Sequence, residues 1–201
     1  MTPEPQPSTS DAAYAQRLQR LSARGGRLRK VIDPQIPYRW NLRRMRPGFV
    51  LDIGCGIGRN LGHLNGHGVG VDHNPTSVAA CVSAGLTAFS PDDFEQSRYA
   101  ASDTFDTVLL AHVIEHMTEA EAHDLISTYL AYLRPGGRVI LITPQERGQA
   151  SDSTHVRFVD HAAVHGLAHQ LGLNVVALRS FPLPRVAGRV FTYNETVAEL
   201  A

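Results

Sequence analysis

The chain is expected to adopt an α/β fold, a mostly parallel sheet with helices on both faces. Three observations carry that expectation. First, short apolar runs alternate with helical stretches, with strands expected near 49–53, 68–72, 86–89, 105–111 and 138–143. Second, the run Val50–Ile53 ends in Gly54, Gly56 and Gly58, the signature of a buried strand turning tightly into a helix. Third, Val69, Gly70 and Val71 form another apolar run that closes on Asp72, twenty positions after Asp52. That interval suits strand, helix, strand, with the second acid on a ribose edge.

The remaining elements follow in order. Residues 1–10 read as a disordered tail. Tyr14, Leu18, Leu21 and Leu28 recur at helical spacing, so residues 11–46 read as a basic helical cap, broken at Gly25 and Gly26 and with Pro34 and Pro37 marking a linker. Residues 47–201 read as the cofactor-binding domain. Cys81 is expected on a helix after Pro75. A helix near 160–171 stops at Gly172, and a strand follows at 174–180. After Pro182 and Pro184 a last strand is expected to return near 188–193 as a hairpin.

Composition narrows the class. At 201 residues and 43% hydrophobic, the chain suits one domain with a sizeable core. No apolar run approaches the roughly 18 residues of a membrane span. The start is polar and proline-rich rather than a secretory signal. Two cysteines, Cys55 and Cys81, suggest neither a disulfide framework nor a zinc site, and a reducing cytoplasm is the expected compartment. Net charge is zero but lopsided: residues 1–48 hold ten basic residues against three acids, and the rest nine against sixteen. The basic part reads either as a solvated helix packed on an acidic partner surface or as a lure for an anionic or polyhydroxylated substrate. The acidic remainder argues against nucleic acid.

The glycine loop selects the cofactor. A dinucleotide fingerprint, G-x-G-x-x-G, sets a pyrophosphate on a helix N-terminus. This chain instead spells D-x-G-x-G-x-G, and Asp52 would repel a pyrophosphate but suit a ligand with an ammonium group. In this it resembles motif I of class I S-adenosylmethionine-dependent methyltransferases, of the type 11, 12 and 23 kind. The resemblance spans roughly residues 45–180. It includes Phe105–Leu110 as fourth strand and Leu133–Leu141 as helix end, Pro-Gly-Gly turn and fifth strand. It implies a Rossmann-like fold whose seven-stranded sheet ends in an antiparallel hairpin, with S-adenosylmethionine as cofactor. It also implies that Asp52, Gly54, Cys55, Gly56 and Gly58 cradle the methionine end, and that Asp72, followed by His73, accepts the ribose hydroxyls. Where the family carries an acid near adenine this chain has Ser90, so Ser90, Asp92, Asp93 and Phe94 are all candidates for that contact.

Ligands in such sheets lie beyond the carboxyl ends of the strands. There the chain carries Ala111, His112, Val113, Ile114, Glu115 and His116, and a polar loop with Asp152 and His155. If the turn after the fourth strand is helical, His112, Glu115 and His116 share a face. The cofactor carries the reactive chemistry, and an alcohol acceptor needs a base, for which histidine is suited near neutral pH. A catalytic set of His116, His112, His155 and Glu115 is one reading. A second is a divalent ion, magnesium being one candidate, on Glu115, His116, His155 and Asp152. The pattern is similar to that of magnesium-dependent small-RNA 2′-O-methyltransferases, Glu-x-x-Glu-His with a distant His. His112 replaces their first Glu, which suits a softer ion. A third reading is that Glu115 and His116 only shape the loop by hydrogen bonds. His161, His165 and His169 recur every four residues, as on a solvated helix face.

The expected activity is O-methylation of a small-molecule or saccharide hydroxyl by a monomer or homodimer. Few aromatic platforms (Tyr14, Tyr38, Trp40, Phe158) lean the acceptor toward a polyol. The wording of the chain also resembles small actinobacterial methyltransferases of methylated-polysaccharide synthesis. N- or C-methylation of a metabolite, or a non-catalytic cofactor-binding subunit, are the alternatives. The Asn/Asp-Pro-Pro-Tyr signature of base and amide methylation is absent after the fourth strand.

Overall fold

The computed structural model describes residues 33–201. Its strands are β1 (Val50–Ile53), β2 (Gly68–Val71), β3 (Ala88–Phe89), β4 (Phe105–Ala111), β5 (Leu133–Pro144), β6 (Val175–Phe181) and β7 (Glu195–Leu200). Its helices are α1 (Ile36–Arg44), α2 (Arg59–His63), α3 (Pro75–Ser83), α4 (Pro91–Glu95), α5 (Glu119–Leu130), α6 (Glu146–Gln149) and α7 (His161–Gln170).

The seven strands form one sheet in the order β3-β2-β1-β4-β5-β7-β6. β3, β2, β1, β4 and β5 run parallel, and β7 pairs antiparallel with both β5 and β6. This is the expected Rossmann-like sheet with its antiparallel end. Strand order reverses direction at β1 and β4, which opens a crevice at their carboxyl ends.

The strands are apolar on both sides because helices cover both faces. Leu51, Val108, Leu110, Val139 and Leu141 pack on one side with Ile126, Val164 and Leu167 from α5 and α7. Val50, Leu109, Ile140 and Val197 point the other way, against Leu42 of α1 and the following Met45. Side-chain caps start several of the helices. Asn74 caps α3, Asp160 caps α7, and Thr118 with Glu121 forms a capping box on α5.

Three expectations change. Pro37 lies in the first turn of α1, not in a linker; its missing N–H is one the helix start leaves unpaired anyway. The helix expected over 11–30 lies outside the described residues. The last strand is not at 188–193, where the chain makes a 3₁₀ turn over Arg185–Arg189, but at Glu195–Leu200. Pairing with β5 sets its place, Val139 opposite Leu200 through Pro144 opposite Glu195. Its acid Glu199 is held between Arg138 at 2.8 Å and Arg179 at 2.7 Å.

Candidate active site

A cavity of about 740 Å³ lies at the carboxyl ends of the central strands. Gly54, Cys55, Gly56 and Ile57 form one wall, and Asp72 and His73 an edge. Ala111, His112, Val113 and His116 line it from the end of β4, and Asp152 and His155 from the loop after α6. Tyr38 and Tyr193 also border it.

The glycine loop is shaped by backbone that side chains avoid. Gly54, Gly56 and Gly58 all have positive φ, at 67°, 53° and 77°. A Cβ on Gly54 would also sit 2.6 Å from Val113 Cγ2, so this glycine lets the loop touch the turn after β4. Asp72 fastens the loop: its Oδ2 accepts from the Gly56 N–H at 2.7 Å and its Oδ1 from the Asn74 N–H at 2.8 Å. Cys55 presents its main chain to the cavity while its side chain is buried toward β2, where Gly70 leaves room. The Cys81 thiol donates to the Gly56 carbonyl at 3.2 Å.

Asp52 sits beneath this loop, 1% exposed and outside the cavity lining. Neither of its oxygens receives an aligned hydrogen bond. Burial pushes its carboxyl up to about 7; neighbouring Asn60 draws it down and Asp72 pushes it further up. Gly58 starts α2 and is also outside the lining.

Of the four adenine candidates, none lines the cavity; Pro91 beside them does. Phe94 is fully buried in an aromatic cluster with Phe105, Tyr129 and Tyr132. Ser90 caps α4 and donates to Asp93 Oδ2 at 2.6 Å, while Asp92 is exposed in the first helical turn.

The turn after β4 is not an α-helix. His112 takes a left-handed φ of 60°, and only Ile114–His116 make a 3₁₀ turn. The three side chains therefore divide. His112 is clamped between two acids, Nε2 at 2.8 Å from Glu195 Oε1 and Nδ1 at 3.3 Å from Glu115 Oε1. Burial disfavours charge on this ring, but the bonds to Glu115 and Glu195 outweigh it and lift its pKa to about 10. Two carboxylates on one ring together exceed the cost of burying it. With both nitrogens facing carboxylates, His112 is a fixed cation and has no lone pair to accept a proton.

His116 instead packs against His155, ring centroids 4.8 Å apart. His155 Nδ1 lies 2.9 Å from the Gln149 carbonyl, which only accepts. His116 Nδ1 lies 3.2 Å from the Thr154 carbonyl and from Thr154 Oγ1, whose own proton goes to Asp152 Oδ1 at 2.8 Å. Both Nδ1 atoms therefore serve as donors, which leaves Nε2 as the nitrogen of each ring able to present a lone pair. Glu115 is fully buried, and apart from the 3.3 Å contact with His112 neither of its oxygens has a hydrogen-bond partner. Ligand atoms of Glu115, His116 and His155 lie within 4.8 Å of one another; Asp152 does not join them.

Sequence reading missed Glu195, the second jaw of the His112 clamp, and the bordering Tyr193. Tyr193 lies in the β6–β7 connection and Glu195 opens β7, and no local motif marks either. Gln145 anchors that connection: fully buried, it donates to Ser180 Oγ and the Glu195 carbonyl and accepts from Asn194.

With this geometry in place, similarity to known proteins decides the family. The sequence model described as "Methyltransferase domain" matches residues 10–178. The chain belongs to this family. The cofactor of such enzymes is S-adenosylmethionine. A tRNA U34 carboxymethyltransferase of Pseudoalteromonas translucida is 30% identical over 129 residues, 56% of this chain and 39% of that protein. A ubiquinone biosynthesis O-methyltransferase of a Methylobacterium species is 33% identical over 95 residues, 44% of this chain and 37% of that protein. The chain thus matches less than two-fifths of the length of either relative. Among solved structures, magnesium protoporphyrin IX methyltransferase of Synechocystis PCC 6803 with bound SAH superposes with a TM-score of 0.67 at 17% identity, over 96% of this chain and 95% of that one. A SAM-dependent methyltransferase of Archaeoglobus fulgidus gives 0.64 at 18% identity, over 94% and 100%.

The residues of this methyltransferase domain fit the cofactor. The cavity is of ligand size, bare main chain at Gly54 and Gly56 lines it, and the Asp72 carboxylate stands at its edge. No helix among the described residues is long and apolar enough to cross a membrane.

Proposed function

We propose that the chain is an S-adenosylmethionine-dependent methyltransferase acting on a hydroxyl of a small molecule or saccharide, and that the hydroxyl loses its proton at Glu115, His116 and His155. When bound, the cofactor supplies an electrophilic methyl group on a sulfonium, displaced in line as the sulfur leaves as a thioether. The main chain at 54–57 and Asp72 would hold it, with residues 47–201 as the catalytic domain. Residues 11–46 would form a cap, for which Tyr38, Asn41 and Leu42 on the cavity border are the support.

One observation carries the oxygen acceptor. Two cavity-lining imidazoles both commit Nδ1 to protein oxygens and leave Nε2 as a lone pair. A nitrogen acceptor with a free lone pair needs no such group, whereas an alcohol does. His112 is reassigned from candidate base to positioning residue, since its proton is locked between Glu115 and Glu195. Tyr38 and Tyr193 give the acceptor a flat surface to stack on.

The test is methyl transfer from labelled cofactor to a panel of sugars, phenols, aliphatic alcohols and amines. Alcohols or phenols should be methylated. His116→Ala should lower kcat by about 100-fold while cofactor affinity stays unchanged. Methylation confined to amines, or full turnover in His116→Ala, would overturn the reading.

A further inference from the structure

We propose that Glu115, His116 and His155 form a binding site for one first-row divalent transition metal of the zinc, cobalt or manganese class. Its use in catalysis rests on the methyl-transfer reading above, with the ion, to which both Nε2 lone pairs are then given, polarising the acceptor hydroxyl in place of a histidine base; the site itself does not rest on that reading.

Three features converge. The first is proximity: one carboxylate oxygen and two imidazole nitrogens lie within 4.8 Å of one another. An ion bound at roughly 2.0–2.2 Å from each ligand would bring them to about 3.5 Å apart, a closure that side-chain rotation supplies.

The second is protonation. The Nδ1 partners Gln149 O and Thr154 O fix each ring so that Nε2 is the available ligand. Metal-bound imidazoles carry this kind of outer hydrogen bond, which orients the ring and raises its basicity. Asp152 belongs to this outer layer. Its Oδ1 accepts from the Thr154 N–H at 3.0 Å and from Thr154 Oγ1, which steadies the segment leading to His155.

The third is charge. Glu115 is fully buried, and beyond the 3.3 Å contact with His112 neither oxygen has a hydrogen-bond partner. Buried carboxylates without donors are costly and rare, and an ion is one remedy. His112 does not reserve itself for Glu115, because its other ring nitrogen faces Glu195 at 2.8 Å. A divalent ion would give Glu115 a partner of its own.

The donor set selects the ion. Two imidazoles and one carboxylate suit zinc, cobalt, manganese or ferrous iron, whereas magnesium prefers all-oxygen shells rich in water. Three protein ligands leave room for a water or an acceptor oxygen, the pattern of catalytic rather than structural sites.

The experiment uses the full chain, stripped with a chelator and titrated with Co²⁺ and Zn²⁺ by calorimetry and by the visible spectrum of bound Co²⁺. One ion per chain is expected, displaced by Zn²⁺ and unaffected by excess Mg²⁺. Loss of an outer partner typically costs about 10–100-fold in affinity, so Glu115→Gln and His155→Ala should each cost at least about 100-fold. His161→Ala, on the histidine-spaced helix α7, should bind as the parent does. Histidine-ring NMR of the unmodified chain gives the same answer without variants: Zn²⁺ should move the His116 and His155 Nε2 signals. No binding, unmoved ring signals, or binding that survives Glu115→Gln and is lost in His161→Ala would overturn the site. A parallel cofactor titration separates the two readings. Cofactor binding without metal binding removes only the metal site, and metal binding without cofactor binding removes only the methyltransferase reading.

Discussion

Replacing Asp52 by Asn should make the cofactor-free protein more stable at neutral and alkaline pH. The carboxyl is fully buried, has no aligned donor, and is raised from 3.8 to about 7. Below pH 4 it is neutral in both folded and unfolded chains. Between pH 4 and 7 the unfolded chain ionises first and binds fewer protons, so rising pH favours unfolding. Above pH 7 the penalty is complete. At 1.36 kcal/mol per pH unit the rise corresponds to about 4 kcal/mol, which is the ceiling for the gain in Asp52→Asn. In a chain of this size that amounts to a rise of roughly 8–16 °C in Tm. The assay is urea unfolding of parent and variant from pH 3.5 to 8.5. Other groups titrate in this range, so the quantity to read is the difference between the two curves. That difference should be level below pH 4, shift in the variant's favour up to pH 7, and level off again. A difference independent of pH, or a variant less stable than the parent at pH 8, would refute the reasoning.

Two further substitutions probe the cradle. Asp72→Ala removes the acceptor of the Gly56 and Asn74 N–H groups as well as the proposed ribose contact. Cofactor affinity by calorimetry should fall by about 10–100-fold, since charged hydrogen bonds are worth about 1.5–3 kcal/mol each; unchanged affinity would count against the assignment. Gly70→Ala places a Cβ 2.6 Å from Cys55 Sγ and should cost about 1–3 kcal/mol in denaturant unfolding. Adding Cys55→Ala should recover part of the loss, and an unaltered Gly70→Ala variant would show that the contact relaxes freely.

Much of the fold was legible because its signals are local. A buried parallel strand must be apolar throughout, so Val50–Ile53, Gly68–Val71 and Phe105–Ala111 stood out as runs. The glycines after β1 announced a tight turn because few other residues take positive φ. β7 was misplaced because Glu195–Leu200, with two glutamates and an alanine, carries little strand preference of its own. Its position is fixed by β5 on one side, β6 on the other, and the arginines that receive Glu199.

The site divides along the same line. Gly54, Gly56 and Asp72 lie within some twenty positions of one another, so their spacing and the resemblance they carry made them candidates from sequence. The roles of the three histidines depended on partners 38 and 83 positions away, Thr154 and Glu195. From sequence, His112 and His116 were equivalent candidates for the base. The left-handed turn at His112 swings it between two glutamates, and the loop after α6 brings His155 to His116. Sequence determined which chemistry is available, because residue types and short intervals survive unfolding. Only the tertiary structure decided which ring faces two carboxylates and which rings face main-chain carbonyls, because these neighbours are ones the chain meets only when folded.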